Sequence, residues 1–194
     1  MGLQHEYAAI HLNAADTKGS LIDFSVPGQD RKGGIQYFHS NNPTTANRDA
    51  MLFYTNGTNE RLRITSSGKV GIGTDSPDQT VHIHKGSAGS VSSSANTVLT
   101  LENSTTNILQ FLNPNNTAAQ VRFGDPQDDG IGFIEYSHNA NTMSFGVYGP
   151  TRMQLDSNGH LGIAVASATQ LANSKQLTLR PTDDDGIRLS LIHI

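Results

Sequence analysis

The sequence has no cysteine and no tryptophan, and only 15% of its 194 residues are charged. Without cysteine there is no disulfide framework, no thiol nucleophile and no thiolate metal site. Durability outside a cell would have to come from burial, hydrogen bonds or self-association. The shortage of charge sets aside disordered chains held open by repulsion, and it sets aside long charged helices and coiled coils. Thirteen basic residues against 17 acidic ones give a formal net charge of -4. No Lys/Arg-rich run offers a basic face to phosphates, so no nucleic-acid partner is expected. Long apolar runs are also missing. No stretch approaches the roughly 20 residues of a membrane span, so no membrane insertion is expected. The start, from Met1 to Glu6, has neither the basic nor the apolar segment of a secretory signal. Gly2 lacks the Ser or Thr that myristoylation wants where Glu6 stands. The 19 glycines have no period of three, which excludes collagen.

What fills the chain is Ser, Thr, Asn and Gln around short apolar stretches, the composition of a turn-rich all-β protein. A diverged repeat organises it. Arg61-Leu62-Arg63-Ile64-Thr65-Ser66-Ser67-Gly68-Lys69-Val70-Gly71-Ile72 matches Arg152-Met153-Gln154-Leu155-Asp156-Ser157-Asn158-Gly159-His160-Leu161-Gly162-Ile163 in every apolar position and every glycine. Ile64 and Leu155 lie 91 positions apart. Upstream, Gly34-Ile35 pairs with Gly130-Ile131, and Leu21-Ile22-Asp23-Phe24 pairs with Ile108-Leu109-Gln110-Phe111. A strand added to the second copy around residues 119–124 accounts for the changing spacing. The copies define one module of roughly 90 residues, a usual domain size.

Within each copy the apolar period is two. Leu62 and Ile64 alternate with Arg61, Arg63 and Thr65, and Val70 and Ile72 alternate with glycine, the mark of strands with one buried face. Ser66-Ser67-Gly68 and Ser157-Asn158-Gly159 read as hairpin loops, a type I turn followed by a residue of positive φ that glycine supplies. Further strands are expected over 9–13, 21–25, 34–38, 50–54 and 80–84, and then over 97–102, 108–112, 120–124, 132–136 and 142–147. The one helix-tolerant stretch is 165–174.

The expected fold is therefore all-β, with two tandem diverged modules of short antiparallel strands and hairpins, either sandwich-like or interleaved in a trimer, and little helix. The first module covers 1–84, a Gly/Ser-rich linker 85–96, the second module 97–164, and the start of a further unit 165–188. Thin cores and open strand edges in such modules predict an oligomer.

Chemistry-bearing clusters are sparse. His82 and His84 lie two apart on one strand, so both rings project from one side. In a trimer they could ring an axis and hold a transition metal. Two solvated histidines with Val81 and Ile83 facing inward are the favoured reading. Asp125, Asp128, Asp129 and Gly130 resemble a calcium loop only loosely, with Gln127 where Asp or Asn is wanted and Tyr136 where the twelfth-position Glu is wanted, so a solvated turn is favoured. Asp183, Asp184, Asp185 and Gly186 are weaker still. Glu102 and Glu135 could be paired as glycosidase carboxylates, but the chain has no tryptophan to stack a sugar. Gly71-Ile72-Gly73 lacks the third glycine of a dinucleotide loop. No catalytic, cofactor-binding or metal-binding residue is assigned, no cofactor is expected, and the chain is read as a non-enzyme.

These residues resemble bacteriophage tail-fibre proteins, in the region preceding their C-terminal intramolecular-chaperone domain. The resemblance runs from Glu60 through Arg61-Leu62-Arg63-Ile64, Ser66-Ser67-Gly68-Lys69-Val70-Gly71-Ile72-Gly73 and Asp75-Ser76-Pro77 to Val81-His82-Ile83-His84. It resumes at Leu99-Thr100-Leu101-Glu102, Ile108-Leu109-Gln110-Phe111, Phe123-Gly124-Asp125-Pro126, Met143-Ser144-Phe145 and Arg152-Met153-Gln154-Leu155. The second copy departs from the pattern at Ala164, where glycine is expected. The resemblance implies a homotrimeric structural segment of a virion, extracellular when it acts. It would be a stem that supports host attachment beside other tail-fibre or baseplate proteins. The alternative is a module that binds a host surface glycan or protein, through loops such as 139–141 or 113–117. The last six residues, 189–194, resemble the translation of a sequencing adaptor, so the natural sequence is expected to diverge after Arg188.

Overall fold

The computed structural model describes residues 10–163. As the alternation implies, the described chain is all-β, with a single 3-10 turn at Thr45–Asn47 as its only helical element. It divides into two units, one ending at Ile108 and the other starting at Leu109.

The first unit is one seven-stranded sheet in sequential order. Its strands are β1 (Gly19–Val26), β2 (Gln29–Phe38), β3 (Met51–Thr55), β4 (Asn59–Ile64), β5 (Val70–Ile72), β6 (Val81–His84) and β7 (Leu99–Glu102). β1 to β5 form an antiparallel meander, in which short turns and the longer 39–50 loop return the chain beside itself. β5, β6 and β7 are parallel, which corrects the expectation of purely antiparallel modules. Parallel neighbours need crossovers, here the short irregular segments 73–80 and 85–98.

The second unit is a five-stranded antiparallel sheet of β8 (Ala118–Phe123), β9 (Gly132–Ser137), β10 (Thr142–Val147), β11 (Thr151–Leu155) and β12 (Leu161–Ile163). Strand register identifies it as a repeat of β1 to β5. Ile22, Ile35, Phe53, Leu62 and Ile72 stand side by side across the first sheet. Val121, Ile134, Phe145, Met153 and Ile163 do so across the second. A bulge follows Phe53 in one and Phe145 in the other.

The matched hairpins have the expected geometry. Gly68 and Gly159 have φ of 81° and 83°. Their N–H groups donate to the carbonyls of Thr65 and Asp156, at 2.9 and 3.1 Å. Each loop adds one side-chain clasp. Thr65 Oγ1 accepts from the Lys69 amide at 3.1 Å. Asp156 Oδ1 accepts from the amides of Asn158 and His160, at 2.9 and 2.8 Å. Those two amides and the His160 ring hold the Asp156 carboxyl below the usual carboxylate range, the His160 amide most of all.

Register and strand assignment also correct four expectations. The counterpart of β1 is β8, so residues 118–123 are not an added strand, and Ile35 matches Ile134 rather than Ile131. Residues 108–112 form no strand, and their apolar side chains stand in solvent, Leu112 at 83% exposure. Residues 10–13 are also irregular. Both apolar stretches satisfy a strand pattern but are paired with no strand among the described residues.

The segment 97–102 contributes β7 to the first sheet, beside β6, so the division between units falls after it. Residues 85–96 belong to the crossover that makes this pairing possible. Ser93 donates to Asp78 Oδ2 through its N–H at 3.1 Å and its hydroxyl at 3.3 Å, and it meets Thr100 Oγ1 at 2.6 Å. The Ala88 amide donates to Glu102 Oε1 at 2.7 Å. The stretches 165–188, including 165–174 and Asp183 to Gly186, and 189–194 lie outside the described residues.

Candidate functional site

The registers place every other side chain of each strand on one face. In the first sheet one row is Ile22, Ile35, Phe53, Leu62, Ile72, Ile83 and Leu101. The next row on that face is Ser20, Tyr37, Met51, Ile64, Val70, Val81 and Leu99. In the second sheet the corresponding rows are Val121, Ile134, Phe145, Met153 and Ile163, and Ala119, Tyr136, Met143, Leu155 and Leu161. Nearly all are apolar, and none is charged.

This face is open in both sheets. Ile64, which alternates with Arg63, is 38% exposed, and Ile22, Ile72, Ile83, Leu99, Val121, Leu155 and Ile163 are exposed as well. Ala50 and Leu52 are the buried hydrophobic residues among those described. Alternation correctly identified the apolar face, but the covered face is the other one. Arg63 is 3% exposed. It grips Glu60 through Nε at 2.6 Å and Nη2 at 2.8 Å, and donates to the Ala46 carbonyl at 3.0 Å and Asn47 Oδ1 at 3.2 Å. Glu60 holds the guanidinium still more firmly protonated than usual. The 39–50 loop is thereby clamped over the polar face, which buries Ala50 and Leu52.

His82 lies on that covered face, at 2% exposure, with the half-buried His84 beside it. The expectation of solvated histidines with Val81 and Ile83 inward is thus reversed at His82, since Ile83 stands on the open face. His82 Nδ1 accepts from the Asp78 amide at 3.3 Å, which puts the neutral ring's proton on Nε2. Nε2 stands 3.0 Å from Glu102 Oε2, an ion-pair distance, although the approach is out of line for a hydrogen bond. The two rings meet edge to face with centroids 5.8 Å apart. Among the described residues no group of three His, Cys, Asp or Glu side chains is arranged to hold a metal ion.

The other candidates separate. Asp125 Oδ1 caps the amides of Gln127 and Asp128, and Asp128 Oδ1 caps Gly130, so these carboxylates are spent on a turn. Glu102 belongs to the first sheet, against His82. Glu135 belongs to the second, where it accepts from Gln120 Nε2. The loop 113–117 closes through Thr117 on the Pro114 carbonyl. Asn141 turns the 138–141 hairpin with φ of 51° and accepts from the Tyr136 hydroxyl at 3.2 Å.

What remains as a site is the open face itself. With strands about 4.8 Å apart and a rise of about 3.4 Å per residue, two rows offer roughly 460 Å² on the first sheet and roughly 330 Å² on the second. Each is at the scale of the largest apolar patches that monomers leave bare, and is roughly half of the roughly 800 Å² per partner of a stable protein interface. The sequence signal for it was present, a low apolar content spread over two repeated faces, but alternation cannot say which face a loop will cover. No protein-family model matches the chain, and comparison with curated proteins finds no match.

Proposed function

We propose that this chain is a structural segment of a bacteriophage tail fibre, a stem that works as a homotrimer and supports host attachment from the virion. The observation that carries the proposal is the open apolar face, present in the same register on both sheets, with only Ala50 and Leu52 as buried hydrophobic residues among those described. Covering such faces removes apolar area from water and is favourable, and copies of the same chain offer a surface of matching chemistry. In this role the mechanism is geometric. Tandem sheets set length, association sets stiffness, and few charges leave little for salt to screen. Other tail-fibre or baseplate proteins would flank it, and no chemical step is required of it.

The test is solution mass. Sedimentation should give three times the chain mass of 20.8 kDa, and a folded monomer would overturn the proposal. A second reading, a module that binds host glycan or protein, draws support from the polar face of the second sheet. There Gln120, Glu135, Ser144 and Gln154 stand side by side above the short 138–141 hairpin. Binding to a glycan array by an otherwise monomeric chain would favour it.

A further inference from the structure

The two sheets share one hairpin turn with a telling substitution. Between β3 and β4 the turn is Asn56-Gly57, with φ of 53° and 85°. Between β10 and β11 it is Tyr148-Gly149, with φ of 57° and 87°. Its anchoring is also repeated. The Gly57 amide donates to the Lys32 carbonyl at 3.2 Å, and the Gly149 amide to the Ile131 carbonyl at 2.9 Å. Two successive residues of positive φ define the turn for which Asn-Gly is the usual pair. Tyrosine fits it poorly, because a bulky side chain crowds the backbone in the left-handed region. Tyr148 is 77% exposed, so packing against the described residues does little to offset that strain. The preceding residue changes in the same sense, from Thr55 to the exposed Val147.

Tyr148 also borders an open cavity of about 470 Å³, with Phe123, Ile131, Ile134, Phe145 and Val147. Phe123, Ile134, Phe145 and Val147 belong to the open apolar face, so the cavity is its continuation at the hairpin end. These walls carry no charged group, and their one side-chain polar atom is the Tyr148 hydroxyl. A saccharide needs hydrogen-bonding partners for its hydroxyls, which such walls do not supply. An apolar protein surface needs none.

We infer that Tyr148 is an interface anchor, held in a strained turn so that its ring and the Phe123–Val147 corner receive the apolar face of a second copy of this chain. Strained residues persist where function requires them, and exposed aromatics at the edge of an apolar cavity are typical interface anchors. The inference rests on the self-association proposed above and names where it is strongest.

The test is Tyr148→Asn, which installs the residue of the sister turn. Local backbone preference alone makes this variant more stable, so misfolding does not mask the result. Sedimentation over a dilution series, in the same sub-denaturing guanidinium for all proteins, should show association weakened about tenfold or more. Tyr148→Phe should associate like the wild type. Association of Tyr148→Asn equal to or tighter than wild type overturns the anchor while leaving the trimeric stem intact. A monomeric wild type overturns both. Unchanged association with lost binding to host-surface polysaccharide overturns the anchor in favour of a saccharide contact.

Discussion

β1 to β5 of the first sheet and β8 to β12 of the second have the same strand order, the same apolar rows and the same bulge, yet the two sheets cover their polar faces differently. In the first, Leu52, Arg63 and His82 lie beneath a long loop and a crossover, and Arg63 holds the loop through two hydrogen bonds, to the Ala46 carbonyl and Asn47 Oδ1, while two more fix it to Glu60. In the second, Ser144 and Gln154 take the places of Leu52 and Arg63, the loop is only 138–141, and Gln154 donates to Ser144 Oγ at 3.3 Å. The apolar face is open in both. What varies between the copies is therefore tolerated or adapted locally, and what is repeated is the surface left for association.

The most severe way to break this comparison is to charge the shared face. Ile72→Glu and its counterpart Ile163→Glu should each lower association by about a thousandfold or more, because an unpaired carboxylate would be buried in a contact without partners. Sedimentation reads this, and an unaffected Ile163→Glu would show that the second sheet takes no part. Next in size, Arg63→Ala should cost the first sheet about 3 kcal/mol, since it removes a buried guanidinium and leaves the half-buried Glu60 and the 39–50 loop without their clamp. Gln154→Ala should cost the second sheet about 1 kcal/mol or less. Hydrogen exchange resolves the two sheets in the intact chain.

Gly68→Val and Gly159→Val should each destabilise their hairpins by about 1–3 kcal/mol, equally in both copies, because a β-branched residue is forced to positive φ. Amide protection of Lys69 and His160 measures it. The smallest effect is on pH. Asp156 has a depressed pKa, so its clasp is fully present above the ordinary carboxylate range and is lost as pH falls through the folded value. Thr65, at the same place in the first copy, does not titrate. Acidification below the ordinary carboxylate range should therefore loosen the His160 amide and leave the Lys69 amide protected, and Asp156→Asn should abolish the difference.

Much of the fold could be read from particular residues. The paired hairpins were visible because Gly68 and Gly159 satisfy a local backbone requirement that depends on no distant contact. Most strands were visible for the same reason, since alternation is a local pattern. The segment 108–112 was misread because an apolar stretch can match a strand pattern without finding a strand to pair with. β7 was assigned to the wrong copy because a parallel crossover joins strands through a segment that reads as a linker. The Tyr148 turn was missed because nothing local in Tyr-Gly announces positive φ.

By itself, the sequence determined the all-β class, the repeat, the hairpin chemistry and which face of each strand is apolar, because these follow from backbone preferences and period-two spacing. Only the tertiary structure decided which face is covered, how the second copy's strands match the first, and that β5, β6 and β7 run parallel. Those outcomes depend on where loops and crossovers lie relative to the sheets, and hydrogen bonds such as those of Arg63, Ser93 and Glu102 join residues distant along the chain, beyond the reach of any local pattern.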